Sequence, residues 1–180
     1  MILFPEGNSF SVNSKIWTLL TFFYAPLPTT GADDFHALFN EYLEPYVAFN
    51  ISPKSLMLYD GSSFSDTTYE FDDAPGRHHH VIRSSVSSMN FFVNGVLEDS
   101  LNKGILLNIE SIGNLFGGYG TFAQKMDDFR IYSRGLTNSE IYQLYGNKEG
   151  DFGYHPYQDF PPEFDNIPEV LIPKNPVVYW

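Results

Sequence analysis

Two short runs of adjacent residues in this sequence carry side chains that bind metal ions in proteins. His78, His79 and His80 form the first run, and imidazole is a common ligand of zinc, copper and nickel. Neighbouring side chains of a strand face opposite sides, so at most His78 and His80 could share one ion. The pattern favours the alternative, a structural strand with one packed histidine and two histidines at the surface.

The second run is Asp127 and Asp128, a pair of the kind used in calcium sites. Calcium takes roughly six to eight oxygen ligands, and only one member of a pair on a strand can point into a given site. The alternative is that one carboxylate orders the loop over residues 117–124 while the other is solvated. For a calcium site, loops would have to supply further oxygens, and the available aspartates are Asp33, Asp34, Asp60, Asp66, Asp72 and Asp73.

Aromatic side chains are a third kind of candidate, because sugar rings stack on exposed aromatic rings while sugar hydroxyl groups bond to Asp, Asn and backbone groups. Aromatic residues make up 17% of the chain, so most of them are expected in a core or at its rim. The candidate sugar-stacking residues are Tyr42, Tyr46, Tyr59, Phe64, Tyr119 and Phe122.

The sequence contains no pattern typical of catalysis. A glycosidase needs two carboxylates about 5 to 10 Å apart across a cleft. Glu41 with Glu44, and Glu163 with Glu169, fall in a loop and in the tail, where solvated charges are expected. Nucleophile elbows, dinucleotide fingerprints and phosphate-binding glycine loops are also absent. We therefore expect no catalytic residues and no enzyme activity.

A strand, a turn and a capped helix are predicted in order between residues 125 and 145. Apolar and polar residues alternate over 127–132, which puts one face of a strand on a core. Thr137 followed three residues later by Glu140 is a capping box. The apolar stripe over 141–145 then predicts one short helix.

Short strands separated by turn signals are predicted over most of the remaining sequence. Asn94–Gly95 suits a type I′ turn, in which both central residues need positive φ. The predicted strands cover residues 10–12, 16–24, 36–40, 46–51, 55–59, 78–86, 90–93, 109–113 and 127–132. Loops are predicted at 26–34, 41–45, 60–68, 72–77 and 99–104, and loops of this kind carry the sites of β-sandwiches.

Charge and composition exclude several classes of function. Ten basic against 22 acidic residues give a net charge of −12, which argues against binding to nucleic acid or to an anionic membrane surface. The absence of cysteine excludes disulfides and thiolate metal sites. No apolar run approaches the length of a membrane span, and no signal peptide is visible.

The segment over 125–145 resembles the last strand and terminal helix of laminin-G-like, concanavalin A-like jelly rolls. That family shows an Asp pair, an alternating strand ending in Tyr, a turn with Leu, and a Ser/Thr-capped helix. His79–Ile82 followed by residues 90–97 resembles its paired central strands, in which an aromatic-Val-Asn-Gly hairpin follows a His-Val strand. The resemblance extends over residues 1–146.

This resemblance implies an all-β fold, a two-sheet antiparallel jelly-roll sandwich with one short C-terminal helix. It also implies a non-catalytic binding or adhesion module for glycan or cell-surface recognition, within a larger extracellular, cell-surface or virion protein. Calcium is the cofactor that it suggests, with Asp127 and Asp128 as candidate ligands. The alternative is a structural subunit of a fibre or shell that binds no ligand.

Residues 147–180 form an extended, proline-rich arm in this interpretation, since the segment has six prolines and no usable hydrophobic period. Its last residues, Val177, Val178, Tyr179 and Trp180, resemble the first strand of a laminin-G-like repeat. Two explanations stay open: the strand begins the next module of a tandem array, or it completes the sheet of a neighbouring copy by head-to-tail strand addition. The second makes these four residues an assembly site for protein neighbours.

Overall fold

The computed structural model describes the backbone at residues 2–3, 10–12, 14–25, 35–40, 46–50, 55–70, 76–109, 111–112, 126–147 and 178–179. The strands are β1 (Ile2–Leu3), β2 (Phe10–Val12), β3 (Trp17–Ala25), β4 (Phe35–Asn40), β5 (Tyr46–Asn50), β6 (Leu56–Tyr59), β7 (Phe64–Asp66), β8 (Gly76–Ser84), β9 (Met89–Val93), β10 (Val96–Leu101), β11 (Leu107–Ile109), β12 (Ser111–Ile112), β13 (Met126–Tyr132) and β14 (Val178–Tyr179). One helix, α1 (Asn138–Asn147), follows β13. No helix in the described ranges is long and apolar enough to cross a membrane.

The strands form a β-sandwich of two antiparallel sheets. The first sheet has the order β1-β12-β4-β5-β6-β7 and the second the order β10-β9-β8-β3-β13-β14, while β11 and β2 form a separate pair. The predicted all-β fold with two antiparallel sheets and a short helix is confirmed. Of the predicted arm, residues 148–177 lie outside the described part of the chain.

The main core lies between the two sheets, and alternating residues fill it. Strand β3 contributes Trp17 and Leu19 and strand β8 contributes Ile82, all at most 1% exposed. From the first sheet, Leu56 and Leu58 of β6 enter the same cluster. Burying each such side chain stabilises the fold by roughly 1.5 to 3 kcal/mol.

A second apolar cluster covers the outer face of the second sheet. Its strand residues include Leu20 and Val81, and its other side includes Ile141 and Leu144 of α1. Strand β8 is therefore buried on both faces, unlike the usual strand of a two-layer sandwich. This burial contradicts the prediction for the histidine run, because two histidines are buried, His79 and His80, at 0% and 2% exposure.

Two predicted local motifs are confirmed, the capping box of α1 and the turn between β9 and β10. The hydroxyl of Thr137 accepts the backbone N–H of Glu140 at 3.2 Å, and the Glu140 carboxylate accepts the N–H of Thr137 at 2.8 Å. In the β9–β10 turn, Asn94 and Gly95 have φ of 50° and 82°, as a type I′ turn requires.

Two predicted loops contain strand residues. Strand β7 lies inside the predicted loop 60–68, and β10 extends to Leu101 in the predicted loop 99–104. Both are outermost strands of their sheets, and most of their residues are exposed or half-buried. Such strands lack the apolar alternation from which strands are predicted.

Candidate functional site

An open groove lies where the β6–β7 turn, the β8–β9 turn and the segment after β10 meet. Its volume is about 510 Å³. We call it the loop groove, and its lining residues are Lys15, Asp60, Val86, Ser87, Asn102, Lys103, Gly104, Ile105, Leu106 and Asn108.

One wall of the loop groove is the β8–β9 turn, in which Ser85 and Ser88 are hydrogen-bonded to each other. The N–H of Ser85 donates to the carbonyl oxygen of Ser88 at 2.8 Å, and the two hydroxyl oxygens lie 2.8 Å apart. The turn holds Val86 at its tip with 67% of the side chain exposed. The wall therefore presents an apolar side chain on a fixed backbone.

The floor of the groove depends on a glycine. A Cβ atom at Gly104 would lie 1.8 Å from the carbonyl oxygen of Ser85, so only glycine permits this approach of the two backbones. The next residue, Ile105, is buried, and its carbonyl oxygen accepts the indole N–H of Trp17 at 2.9 Å. These contacts fix the segment after β10 against the core.

The opposite wall is the β6–β7 turn, which Asp60 organises. Its Oδ1 accepts the backbone N–H groups of Ser62 at 2.9 Å and Ser63 at 2.7 Å. The ammonium group of Lys103 lies 2.7 Å from Oδ2 of the same carboxylate. The hydrogen bond from Lys103 and those from the two serine N–H groups hold the pKa of Asp60 well below its usual range.

Lys103 links this turn to the segment after β10. Besides its ion pair with Asp60, its ammonium donates to the hydroxyl of Ser63 at 2.9 Å. An ammonium group has three N–H donors, so the two bonds orient Lys103 and leave one donor for a ligand in the groove.

Three further polar side chains line the groove, those of Asn102, Asn108 and Lys15. The side-chain amides of Asn102 and Asn108 have no hydrogen-bond partner among the residues that the structure describes. Lys15 has no ion-pair partner in the same described part of the chain and supplies a second ammonium group. Together with Val86 and with Leu106, which is 45% exposed, the groove offers hydrogen-bonding groups beside apolar surface.

Two of the predicted sugar-stacking residues flank the β6–β7 turn. Tyr59 and Phe64 are directly paired across β6 and β7, with ring centroids 4.8 Å apart. Phe64 is 59% exposed and Tyr59 is half-buried. Neither ring is among the lining residues of the loop groove, but the turn between them supplies Asp60 to it.

The Asp128 carboxylate of the predicted calcium pair binds a buried arginine. Its two oxygens accept from Nε of Arg130 at 2.6 Å and from a terminal nitrogen of Arg130 at 2.9 Å. Burial alone would lower the pKa of Arg130, and the Asp128 charge raises it above the ordinary value. The described residues include no group of three or more His, Asp or Glu side chains arranged to hold a metal ion. The side chain of Asp127 lies outside the described residues.

The His78–His80 run has side chains on both faces of the second sheet. The ring of His79 lies against Phe22, with centroids 4.6 Å apart, and stacks on Tyr145 of α1 at 5.9 Å. The ring of His80 contacts Phe91 in the core at 5.4 Å. The rings of His78 and His80, the pair with the correct spacing for a shared ion, have centroids 6.4 Å apart.

The terminal strand β14 pairs antiparallel with β13 of the same chain. Val178 is opposite Ile131, and Tyr179 is opposite Arg130. Of the predicted assembly residues, Val177 and Trp180 lie outside the described residues. So do the predicted sugar-stacking residues Tyr42, Tyr119 and Phe122, and of Tyr46 only the backbone is described.

Sequence reasoning missed most of the loop groove. The loops at 60–68 and 99–104 were predicted to be places for a site, and they supply Asp60, Asn102, Lys103 and Gly104. Lys15 carries no local signal, because the other lining residues are distant from it in the sequence, and Asn108 lies just beyond the predicted loop at 99–104.

Comparisons with known proteins identify a fold and no family. No family model and no curated protein matches the sequence. The laminin-G-like resemblance is therefore unconfirmed at family level.

Several solved structures have a similar fold. A putative carbohydrate binding protein from Bacteroides ovatus matches at 17% identity and a TM-score of 0.56, over 78% of this chain and 42% of the other. Another match is domain 4 of AbnA, a GH43 extracellular arabinanase from Geobacillus stearothermophilus, in complex with arabinotriose. It has 16% identity and a TM-score of 0.56, over 75% of this chain and 69% of that chain. The binding domain of botulinum neurotoxin DC in complex with SialylT matches at 13% identity and a TM-score of 0.52, over 74% of this chain and 36% of the other.

These similarities show a β-sandwich fold shared with carbohydrate-binding and receptor-binding domains. The chain spans less than half of the Bacteroides and botulinum chains that it matches.

Proposed function

We propose that this chain is a non-catalytic glycan-recognition module that binds sugar in the loop groove. The observation that carries the proposal is the combination, in one groove, of the oriented Lys103 ammonium, the uncommitted amides of Asn102 and Asn108, and the exposed apolar side chains of Val86 and Leu106.

A sugar has chemistry that suits this lining. Its hydroxyl groups accept from an ammonium and both donate to and accept from side-chain amides, while its C–H faces pack on apolar side chains. The Asp60 charge already compensates Lys103, and the chain as a whole carries a net charge of −12. Both facts favour neutral glycans over polyanionic ones.

The structural similarities support the same class of ligand. Three of the similar structures are a putative carbohydrate binding protein, an arabinanase domain in complex with arabinotriose and a neurotoxin binding domain in complex with SialylT. We extend glycan binding from these proteins to this chain as part of the proposal. An extracellular or cell-surface location belongs to it as well.

The composition of the groove supports binding without catalysis. A glycosidase uses two carboxylates, and among the described residues that line the groove Asp60 supplies one, which is already held by Lys103 and two N–H groups. Among the described residues that line the groove, Asp60 supplies the only carboxylate, and Lys103 and two N–H groups already hold it, so we expect sugar binding to be the same in calcium and in chelator.

A glycan array followed by calorimetry tests the proposal. We expect the chain to bind a restricted set of neutral glycans, and Ser87→Trp, which fills the groove from an exposed turn, to abolish binding without changing the thermal midpoint. Val96→Trp is the matched control, because Val96 is exposed at 54% but does not line the groove. Equal glycan binding by both variants would contradict the assignment of the groove.

A second candidate function is assembly through the terminal strand. The observation in its favour is that β14 adds to β13 as the outermost strand of the second sheet. We propose that the same strand of one copy can occupy the β13 edge of another, which would link copies head to tail.

Light scattering over a range of concentrations tests this second candidate. The full chain is compared with a variant in which Val178 and Tyr179 are both replaced by proline, which cannot donate the ladder hydrogen bond. Assembly predicts concentration-dependent oligomers in the unmodified chain and monomers in the variant. Monomers in both would exclude it.

A further inference from the structure

The Tyr59–Phe64 ring pair lies next to the loop groove along the chain. We infer that the pair and the groove bind one continuous oligosaccharide, with one sugar unit stacked on Phe64 and another in the groove. This inference rests on the proposed function, because it assigns a second subsite to the same ligand.

The first step is the exposure of Phe64. Its ring is 59% exposed, whereas the interior face of the same sheet is covered by the main core. An exposed ring in a fixed position offers a sugar ring a flat apolar face. Tyr59 fixes the ring from one side, because the two residues are directly opposite across the hairpin and their rings are tilted by 38°.

The second step is the continuity between ring and groove. Ser63 directly precedes Phe64, and its hydroxyl oxygen accepts the hydrogen bond from Lys103, 2.9 Å away. Tyr59 directly precedes Asp60, which lines the groove. Consecutive Cα atoms are about 3.8 Å apart, so Tyr59 is one residue step from Asp60 in the groove lining, and Phe64 is one step from Ser63, which contacts the lining residue Lys103.

The third step concerns the surface between the two subsites. The β6–β7 turn carries Ser62 and Ser63 between Asp60 and Phe64 in the sequence, and Asp60 fixes both serines by accepting their N–H groups and their hydroxyl groups. A ligand that crosses this turn meets hydrogen-bonding groups along its path. The predicted ligand is therefore an uncharged oligosaccharide of at least two units.

The test is the dependence of affinity on ligand length. The probes are the homo-oligosaccharides of arabinose, xylose, glucose and galactose, from monosaccharide to tetrasaccharide, titrated calorimetrically into the full chain. We expect affinity to rise from the monosaccharide to the longer ligands. Phe64→Leu keeps an apolar side chain but removes the ring. It should lower the affinity for the longer ligands by about three- to tenfold and leave the affinity for the monosaccharide unchanged.

Phe64→Tyr is the matched control, because it keeps the ring and should retain the dependence on length. Ser87→Trp should remove binding of every length. If the chain binds sugars but Phe64→Leu does not alter the dependence on length, the second subsite is wrong while the proposed function stands. If Phe64→Leu instead changes the oligomeric state of the chain, Phe64 belongs to a protein interface and the inference fails. If no probe binds, both fail.

Discussion

Asp128 resembles a metal ligand in the sequence, but in the structure it forms a buried ion pair with Arg130. Both side chains are at most 5% exposed, and Asp128 has a φ of 52°, a conformation that Asp tolerates better than most residues. The backbone is irregular at this point, since the pairing register of β13 with β3 shifts between Asp127 and Arg130. A bulge of this kind re-aims a side chain, here towards Arg130.

We expect Asp128→Ala to lower the free energy of unfolding by about 3 to 5 kcal/mol, because it leaves the Arg130 charge buried without its carboxylate partner. The measurement is denaturant unfolding. Arg134→Ala is the control: it removes the Arg134–Glu140 pair, whose arginine is 48% exposed, and should cost no more than about 1 kcal/mol. Similar losses in both variants would show that Asp128–Arg130 is not the buried pair described.

His79 should make the stability of the protein depend on pH. Burial, followed by the positive charges of Arg130 and Arg77, lowers the pKa of His79 to about 3. An unfolded histidine titrates near 6.5, so the folded state favours the neutral form. The stability that this neutral form provides is complete above pH 6.5 and is lost as the pH falls from 6.5 towards 3.

From this shift we expect the chain to be about 2 kcal/mol less stable at pH 5 than at pH 7.5 on account of His79. His79→Phe should remove this part of the pH dependence while keeping the ring contacts with Phe22 and Tyr145. The substitution breaks no hydrogen bond with the described residues, because neither ring nitrogen of His79 has a partner among them. The measurement is the free energy of unfolding in denaturant at the two pH values, and His78→Gln is the control. An unchanged difference in His79→Phe would contradict it.

Residue types indicated some of these roles and could not indicate others. Tyr59 and Phe64 are candidate sugar-stacking residues from the sequence, and they flank the turn that supplies Asp60 to the groove. The burial of His79 could not be predicted, because it depends on where α1 packs. The pairing of Asp128 with Arg130 two positions away depends on the bulge, which carries no sequence signal.

Among the elements, the β9–β10 turn and α1 act together. Gly95 occupies the second position of the turn, and a Cβ atom there would lie 3.0 Å from Cδ2 of Tyr142 and 3.3 Å from Cδ1 of Tyr145. The turn therefore needs glycine for its positive φ and also for the packing of the helix.

We expect Gly95→Ala to destabilise the protein more than Gly61→Ala does. Both glycines have positive φ, at 82° and 91°, so each substitution carries a conformational cost of about 1 to 2 kcal/mol. Among the residues that the structure describes, no atom lies within 4 Å of a Cβ built at Gly61, so the difference between the two variants measures the contact with α1. Equal losses on unfolding would contradict the close contact between turn and helix.

Local motifs with a clear sequence signal were predictable, and the outermost strands β7 and β10 were not. The capping box of α1 and the Asn-Gly turn specify local backbone geometry, and both are confirmed. Strands β7 and β10 expose most of their residues, so their sequences resemble loops. A contact between distant residues links β10 to the segment after β7, since the Thr68 hydroxyl donates to the Asp99 carboxylate at 2.9 Å.

At the scale of the whole molecule, the two sheets leave different surfaces for binding. Helix α1 covers the outer face of the second sheet, and the main core fills the space between the sheets. The loop groove remains open because it is built from turns, whose backbones are fixed by Asp60, Gly104 and the β8–β9 serines. A rigid sandwich that carries its binding groups on turns suits recognition of a ligand without large movement.

The most direct test of the proposed function is to map sugar binding by nuclear magnetic resonance. Backbone amide shifts are recorded on the full chain while the tightest-binding oligosaccharide from the length series is added. We expect the largest changes at Ser87, Lys103 and Gly104, with smaller changes at Phe64 and none at the covered strand residues Leu20 and Val81. Shift changes centred away from the groove, or no change with any sugar, would contradict the proposed function.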